Sequence, residues 1–132
     1  MSEAKLNLSG IWHGRYFYPV NRSPVPFVAT MSDIDAWLTG TIEEKGTAGE
    51  ARGVAMSASI EGRRTGRAVT WLKLYDGRFH HYDSVRYEGD INEDGTEISG
   101  RWSIPGNWSG TFLMIRPSGI GETSKVKATE RA

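Results

Sequence analysis

Apolar residues occur along the chain in short runs rich in valine, isoleucine, threonine and aromatic residues, and glycines separate these runs. The sixteen glycines are spread through the sequence rather than clustered. Short strands joined by tight turns produce this pattern, because β-branched and aromatic side chains favour extended backbone and glycine accepts positive φ angles. An apolar stripe with helical spacing is not sustained over three turns in any window. The pattern therefore predicts an all-β protein.

Eight strands are predicted from the runs and the turn signals between them. They are expected at residues 9–18, 25–31, 36–43, 53–60, 67–75, 82–88, 97–104 and 109–116. The clearest turn is the NEDG sequence at 92–95, where Asn and Asp bond to nearby backbone and Gly tolerates positive φ. Residues 61–66 are expected to link the fourth and fifth strands.

Closure of these strands into a barrel is the favoured architecture. An open sheet would leave two unpaired edges, whereas a barrel pairs every edge. A two-sheet sandwich is the alternative, but it usually needs longer crossover connections. We predict a single eight-stranded antiparallel up-and-down barrel over residues 8–117. An N-terminal arm at 1–7 precedes it, and a polar C-terminal tail at 118–132 is expected to be flexible and disordered.

Length, charge and composition narrow the classes of function. The 132 residues are enough for one domain. Sixteen basic and sixteen acidic residues cancel, so neither a nucleic acid nor a membrane is expected as a partner. The absence of cysteine excludes disulfides and zinc fingers. The chain has no signal-peptide pattern and no apolar run of about 18 residues, which predicts a cytoplasmic protein. No metal and no cofactor are expected.

Four short motifs carry a resemblance to known barrels: LSGIW at 8–12, LTGT at 38–41, AVTWLK at 68–73 and ISGRW at 98–102. Over residues 8–116 the chain resembles the calycin group of up-and-down barrels, and within it the avidin-like and lipocalin-like proteins. The resemblance implies that Trp71 and Trp102 wall a small-molecule pocket. It also implies that residues 44–52 form a loop that folds over the ligand as a lid.

The positions at which avidin-like proteins bind the polar group of biotin are altered in this chain. Gly14 and Tyr16 stand where the first strand of the family supplies hydrogen-bond partners. Ile42 and Glu44 replace a tyrosine and a serine of its third strand, and the eighth strand closes with Ile115-Arg116 instead of an aspartate. A site built for a polar ligand loses orders of magnitude in affinity without its partners. Biotin is therefore not the expected ligand.

Strand alternation and aromatic content indicate which side chains line a pocket. In the fifth strand Trp71, Lys73 and Tyr75 share one face, and Trp102 lies on the inward face of the seventh. Five tryptophans and five tyrosines are a heavy aromatic load, which is typical of small-molecule sites. Trp12 is expected to plug the closed end of the barrel, and core packing is an equal alternative for Trp71 and Trp102. The candidate ligand-binding residues are Trp71, Trp102, Tyr16, Tyr75, Glu44, His81, Asp83 and Tyr87.

The remaining polar residues offer one local cluster, HHYD at 80–83. His80 and His81 would point to opposite faces of a strand, so they would not share a metal ion, whereas His81 and Asp83 share a face. The carboxylates Asp33, Asp35, Glu43 and Glu44 are expected at solvated strand ends. Surface positions are expected for five arginines, namely Arg63, Arg64, Arg67, Arg101 and Arg116.

The leading hypothesis is a non-catalytic module that binds a small apolar or aromatic molecule inside the barrel. Some strands carry bulky apolar residues on both faces, which suggests a homo-oligomer. One alternative is a barrel enzyme, such as a cyclase or isomerase, that uses confinement with His81 and Asp83 as acid and base. Another is a structural barrel whose interior is filled by its own side chains. No residue is assigned a catalytic role.

Overall fold

A closed barrel of eight antiparallel strands forms the protein. The computed structural model describes residues 6–45, 53–76, 84–106 and 108–117. The strands are β1 (Gly10–Phe17), β2 (Val25–Ile34), β3 (Trp37–Lys45), β4 (Ala55–Thr65), β5 (Ala68–Tyr75), β6 (Val85–Ile91), β7 (Glu97–Ser103) and β8 (Ser109–Ile115). Each strand pairs with the next, and β1 also pairs with β8. The predicted barrel is confirmed, and the sandwich alternative is wrong.

The core lies inside the barrel because alternate residues of each strand point inward. The burial of β2 alternates along its length, from buried Val25 to buried Asp33. β5 departs from the usual division of apolar and polar faces, since its inward set contains Lys73 while Leu72 and Leu74 lie outside, 39% and 46% exposed. A shift of one residue would exchange these faces. Trp71 and Val69 share the inward face with Lys73 and hold that register.

The two ends of the barrel are built differently. Because neighbouring strands run in opposite directions, β1, β3, β5 and β7 all finish at one end, which we call the upper end. Their starting points lie at the lower end. The lower end also holds the segment 6–9 and the two-residue turns at 35–36 and 66–67. The connection 18–24 and the described residues 104–106 and 108 belong to the upper end.

Several strands are longer than the sequence predicted. β2 runs through Asp33 to Ile34, and a two-residue turn follows in which Asp35 and Ala36 have φ angles of 53° and 71°. A two-residue hairpin turn with positive φ at both central residues matches the twist of the flanking strands. Glycine usually marks such a turn in a sequence, and here alanine stands in its place. β3 extends to Lys45, so the prediction that Glu44 belongs to a loop is wrong.

The fourth strand also continues past its predicted end. Residues 61–65 were expected to be part of a link, but 61–63 pair with both β3 and β5, and 64–65 pair with β5. The actual connection is the turn at 66–67, where Gly66 has a φ of +62°. The segment resembles a loop in the sequence because it is rich in charged residues. Its exposed and half-buried residues nevertheless alternate as in a strand.

Other predictions fall outside the described residues. These are the greater part of the proposed lid, 46–52, the cluster residues His80, His81 and Asp83, and the tail 118–132. Across the described ranges, the chain has no helix with the length and apolar character needed to cross a membrane.

Candidate functional site

Aromatic rings fill the middle of the barrel. Trp71 of β5 stacks on Tyr87 of β6, with ring centroids 5.7 Å apart. Phe112 of β8 contacts both rings, at 5.8 Å from Trp71 and 4.9 Å from Tyr87. All three side chains are buried. This arrangement supports the core-packing role that was open for Trp71, and it forms an apolar floor beneath the upper end.

A second group of rings lies at the upper end. Tyr18 contacts Trp102 edge-on at 5.8 Å and Trp108 at 5.1 Å. The indole N–H of Trp102 donates to the carbonyl of Phe17 at 3.0 Å. A Cβ atom at Gly110 would lie 2.7 Å from this indole, so the ring can occupy its place only beside a glycine. Tyr18 and Trp108 are half-buried and form the outer part of the group.

Between these two aromatic groups lies a buried polar cluster around Glu44 of β3. The Nζ of Lys73 donates to Glu44 Oε1 at 2.6 Å. Tyr16 and Tyr75 donate their hydroxyls to Glu44 Oε2 at 2.9 Å and 3.1 Å. The side chains of Lys73 and Glu44 are only 1% and 2% exposed. We call these four residues the Glu44 cluster.

Three aromatic rings surround the ammonium group of Lys73. Its Nζ lies 4.9 Å from the ring centroid of Tyr16, 4.7 Å from that of Tyr75 and 5.9 Å from that of Tyr87. Ring faces attract a cation, and more strongly when water is excluded. One carboxylate and three rings therefore compensate the charge of Lys73 inside the barrel.

Burial shifts the proton equilibria of the cluster. Desolvation lowers the pKa of Lys73, and the charge and hydrogen bond of Glu44 oppose this shift. Desolvation and the negative charge of Glu44 both raise the pKa values of Tyr16, Tyr75 and Tyr87 above the ordinary tyrosine value. The tyrosines therefore keep their protons at neutral pH, and Tyr16 and Tyr75 act as hydrogen-bond donors to Glu44.

The structure brings most of the predicted site residues together at the upper half of the interior. Trp71, Trp102, Tyr16 and Tyr87 are buried, and Tyr75 is half-buried. Glu44 joins them as an interior strand residue, so its expected placement at a solvated strand end is wrong.

Lys73, the central residue of this cluster, was not among the predicted site residues. The available signal was its position on the same strand face as Trp71 and Tyr75. Burial of an unpaired charge destabilises a protein by roughly several kcal/mol. A lysine on an aromatic face of a barrel strand must therefore either reach solvent at the barrel end or be paired inside.

One polar atom of the interior has no partner among the described residues. It is the indole Nε1 of Trp71, which is buried. A buried N–H without an acceptor is unfavourable by about 1–3 kcal/mol. The donor is available to an acceptor that the chain itself does not supply within its described part.

The lower end holds a different set of polar contacts. Asp33, expected at a solvated end, is buried and accepts the backbone N–H groups of Leu8 at 2.9 Å and Ala36 at 3.1 Å. Arg64, expected on the surface, donates to Asp33 through Nε at 3.0 Å. Both expectations are wrong, because these side chains join the N-terminal segment to the β2–β3 turn.

Arg116 is also buried, contrary to the expected surface position. Its guanidinium donates to the carbonyls of Gly95, Ser9 and Asn7 at 3.0, 3.1 and 2.7 Å. It lies 4.4 Å from the ring centroid of Trp12. Burial lowers the pKa of Arg116 to about 10, partly opposed by Asp33, so its charge persists at neutral pH. Trp12, which was predicted to plug the closed end of the barrel, is fully buried beside Arg116.

Comparison with known proteins establishes the class of fold. The chain is similar to the solved structure of a redesigned β-barrel, with a TM-score of 0.58 and 12% sequence identity, over 88% of this chain and 95% of that one. At this identity the similarity concerns the fold alone. No protein-family model matches the chain, and no curated protein matches it.

Proposed function

We propose that the barrel is a non-catalytic binding protein for a small apolar or aromatic molecule that enters at the upper end. The observation that carries the proposal is the Glu44 cluster. It is a buried ion pair with two tyrosine hydroxyls, enclosed by aromatic rings and located within the last residues of β1, β3 and β5.

The energetics of the cluster support a role beyond folding. Replacement of a buried ion pair by apolar side chains is often neutral or stabilising, so Glu44 and Lys73 are not needed to fill the interior. Within the described part of the chain, Glu44 accepts only side-chain donors, and these can exchange a hydrogen bond with a ligand while the strands stay paired. Ionisable groups in such surroundings occur frequently at functional sites.

The surrounding rings and one donor suggest the chemistry of the ligand. Trp102, Tyr18 and Trp108 offer flat apolar surfaces above the cluster, and the Trp71 N–H offers a hydrogen bond below it. A planar molecule with one acceptor group would use both. Small-molecule sites combine apolar walls with a few fixed polar groups in this way.

Three wider expectations remain part of the proposal. Membership of the calycin group and a cytoplasmic location are inferred from the sequence. A homo-oligomer is favoured by the exposed outer side chains of Leu72, Leu74, Leu113 and Ile115 on β5 and β8.

A binding experiment with aromatic probes tests the proposal. Cinnamyl alcohol, naphthol and anilinonaphthalene sulfonate are titrated into the protein while tryptophan fluorescence and heat are measured. We expect at least one probe to bind saturably, with one molecule per barrel. Trp108→Ala should weaken this binding about tenfold, equivalent to about 1.4 kcal/mol, because Trp108 contributes a ring to the upper end.

Trp37→Ala is the matched control, since it removes the same side chain from the outer surface at the lower end, where Trp37 is 60% exposed. It should leave the affinity unchanged within about twofold. Failure of all three probes to bind, or equal weakening by the two substitutions, would contradict a site at the upper end.

A further inference from the structure

We propose that Lys73 is a covalent attachment point, whose amine forms an imine with an apolar or aromatic aldehyde inside the barrel. The inference rests on the proposed function, because it assigns the chemical class of ligand and the bond that holds it. It follows from the identity and surroundings of the one lysine in the interior of the described chain.

The choice of lysine at this position is informative. At the lower end the paired cations are half-buried Arg64 and buried Arg116, and each planar guanidinium binds more than one acceptor atom at once. Lys73 makes a single ion pair with Glu44. A guanidinium stays protonated and is not a nucleophile, whereas a buried lysine readily releases its proton and then attacks carbonyl carbon.

The neighbouring carboxylate is placed to carry the proton. At 2.6 Å, Glu44 Oε1 can accept a proton from Lys73 Nζ and leave a neutral amine. Burial favours this transfer, since it lowers the pKa of Lys73. The hydroxyls of Tyr16 and Tyr75 remain bound to the other carboxyl oxygen and hold the group in position.

The reaction balances without any further reagent. The amine lone pair of Lys73 forms a bond to the carbonyl carbon, and the carbonyl oxygen receives a proton from the attacking nitrogen. The resulting carbinolamine breaks its C–O bond when Glu44 returns its proton to the departing oxygen, which leaves as water. The product is a protonated imine on Lys73 beside the ionised Glu44, so the total charge of the pair is unchanged.

The same surroundings stabilise the product. The positive charge of the imine stays next to Glu44 and near the rings of Tyr16, Tyr75 and Tyr87. The aromatic part of the aldehyde would lie among the rings of the upper end. An isolated exposed lysine has neither the counter-ion nor the apolar walls, so its imines hydrolyse readily in water.

Reductive trapping tests the inference. The protein is incubated with cinnamaldehyde and sodium cyanoborohydride, digested and analysed by mass spectrometry, with all five lysines compared in one sample. We expect the adduct at Lys73 to form at least about tenfold faster than at exposed Lys45. Glu44→Gln should slow trapping at Lys73 about tenfold or more without affecting Lys45.

Two controls separate covalent attachment from binding. Lys73→Arg keeps a cation beside Glu44 and should abolish the interior adduct, while cinnamyl alcohol tests binding without a carbonyl group. If cinnamyl alcohol binds but cinnamaldehyde labels Lys73 no faster than the other lysines, covalent attachment is wrong and the proposed function stands. If neither probe binds and Lys73 is not labelled, both are wrong.

Discussion

Both ends of the barrel bury a carboxylate beside a cation, but the two carboxylates have different partners. At the lower end, Asp33 accepts two backbone N–H groups as well as Arg64. At the upper end, Glu44 accepts Lys73 and two tyrosine hydroxyls, which are all side chains. The first set fixes the path of the backbone. The second set fixes only the positions of side chains inside the barrel.

This difference distinguishes polar groups that fix the backbone from polar groups that contact only other side chains. The Asp33 carboxylate holds the backbone of the segment at 6–9 at the lower end, together with the Arg116 guanidinium. Loss of the Glu44 contacts would leave every strand pair of the barrel in place. A functional role is therefore inferred for the upper end and a structural one for the lower end.

Matched double substitutions that remove both charges of each pair test whether the two ends have different roles. In Asp33→Asn with Arg64→Met, the amide has one oxygen for two N–H groups, which contact opposite carboxyl oxygens of Asp33. One of the two backbone N–H groups must then face the amide NH₂ group, which is itself a donor. We expect the free energy of unfolding to fall by about 2–4 kcal/mol in urea denaturation, from the unsatisfied groups and lost contacts.

The upper-end counterpart, Glu44→Gln with Lys73→Met, should cost less, about 1–2 kcal/mol, because the one group left without a partner is the glutamine NH₂. Both tyrosine hydroxyls bind the same carboxyl oxygen, so a glutamine carbonyl can replace it while its NH₂ group takes the place next to residue 73. Equal losses of stability in the two double variants would remove the basis for assigning different roles to the ends.

Removal of Arg116 should have the next largest effect. Arg116→Met leaves the carbonyls of Gly95, Ser9 and Asn7 without this donor and removes the cation from the Trp12 ring. We expect a loss of about 2 kcal/mol in the free energy of unfolding, measured by urea denaturation. Arg86→Met, at an exposed ion pair with Glu88, is the control and should change stability by less than about 0.5 kcal/mol. Similar effects of the two substitutions would argue against a structural role for Arg116.

The features that were predicted from the sequence depend on residues close together along the chain. The features that were missed depend on contacts between residues far apart along it. Strand alternation and turn residues are local, and they located all eight strands and the inward position of Trp102, whereas the inward position of Trp71 was implied by the family resemblance. The ion pairs join residues 29 and 31 positions apart along the chain. Their formation depends on strand register, which no local pattern specifies.

The site was therefore predicted in its aromatic part and missed in its charged part. Trp102 lies on a strand whose other face is polar, so alternation alone places it inside the barrel. Lys73 and Asp33 contradict the apolar pattern of their faces, and the contradiction is resolved only by partners on other strands. Violations of a local pattern often mark functional or strained positions, and both violations here mark the ends of the barrel.

The smallest expected effect is on the stability of the protein at alkaline pH, where the buried tyrosines of the upper end differ from exposed ones. The pKa of Tyr16 is raised in the folded protein, by burial first and by Glu44 second. Above pH 10.0, the ordinary tyrosine value, the unfolded chain releases this proton while the folded chain retains it. Its contribution to stability is therefore complete below that pH and decreases as the pH rises.

In Tyr16→Phe, the decrease in the free energy of unfolding between pH 10 and 11 should be smaller than in the wild type by about 1 kcal/mol, from the value of 1.4 kcal/mol per pH unit for one proton. Lys73→Met should change the profile in the opposite sense. The pKa of Lys73 is lowered in the folded state, so its contribution to stability grows with pH up to its ordinary value of 10.5. Urea denaturation at closely spaced pH values measures both. Parallel profiles for the wild type and Tyr16→Phe would show that Tyr16 is not buried against an ionised Glu44, and the Glu44 cluster would then not be the polar centre of the upper end.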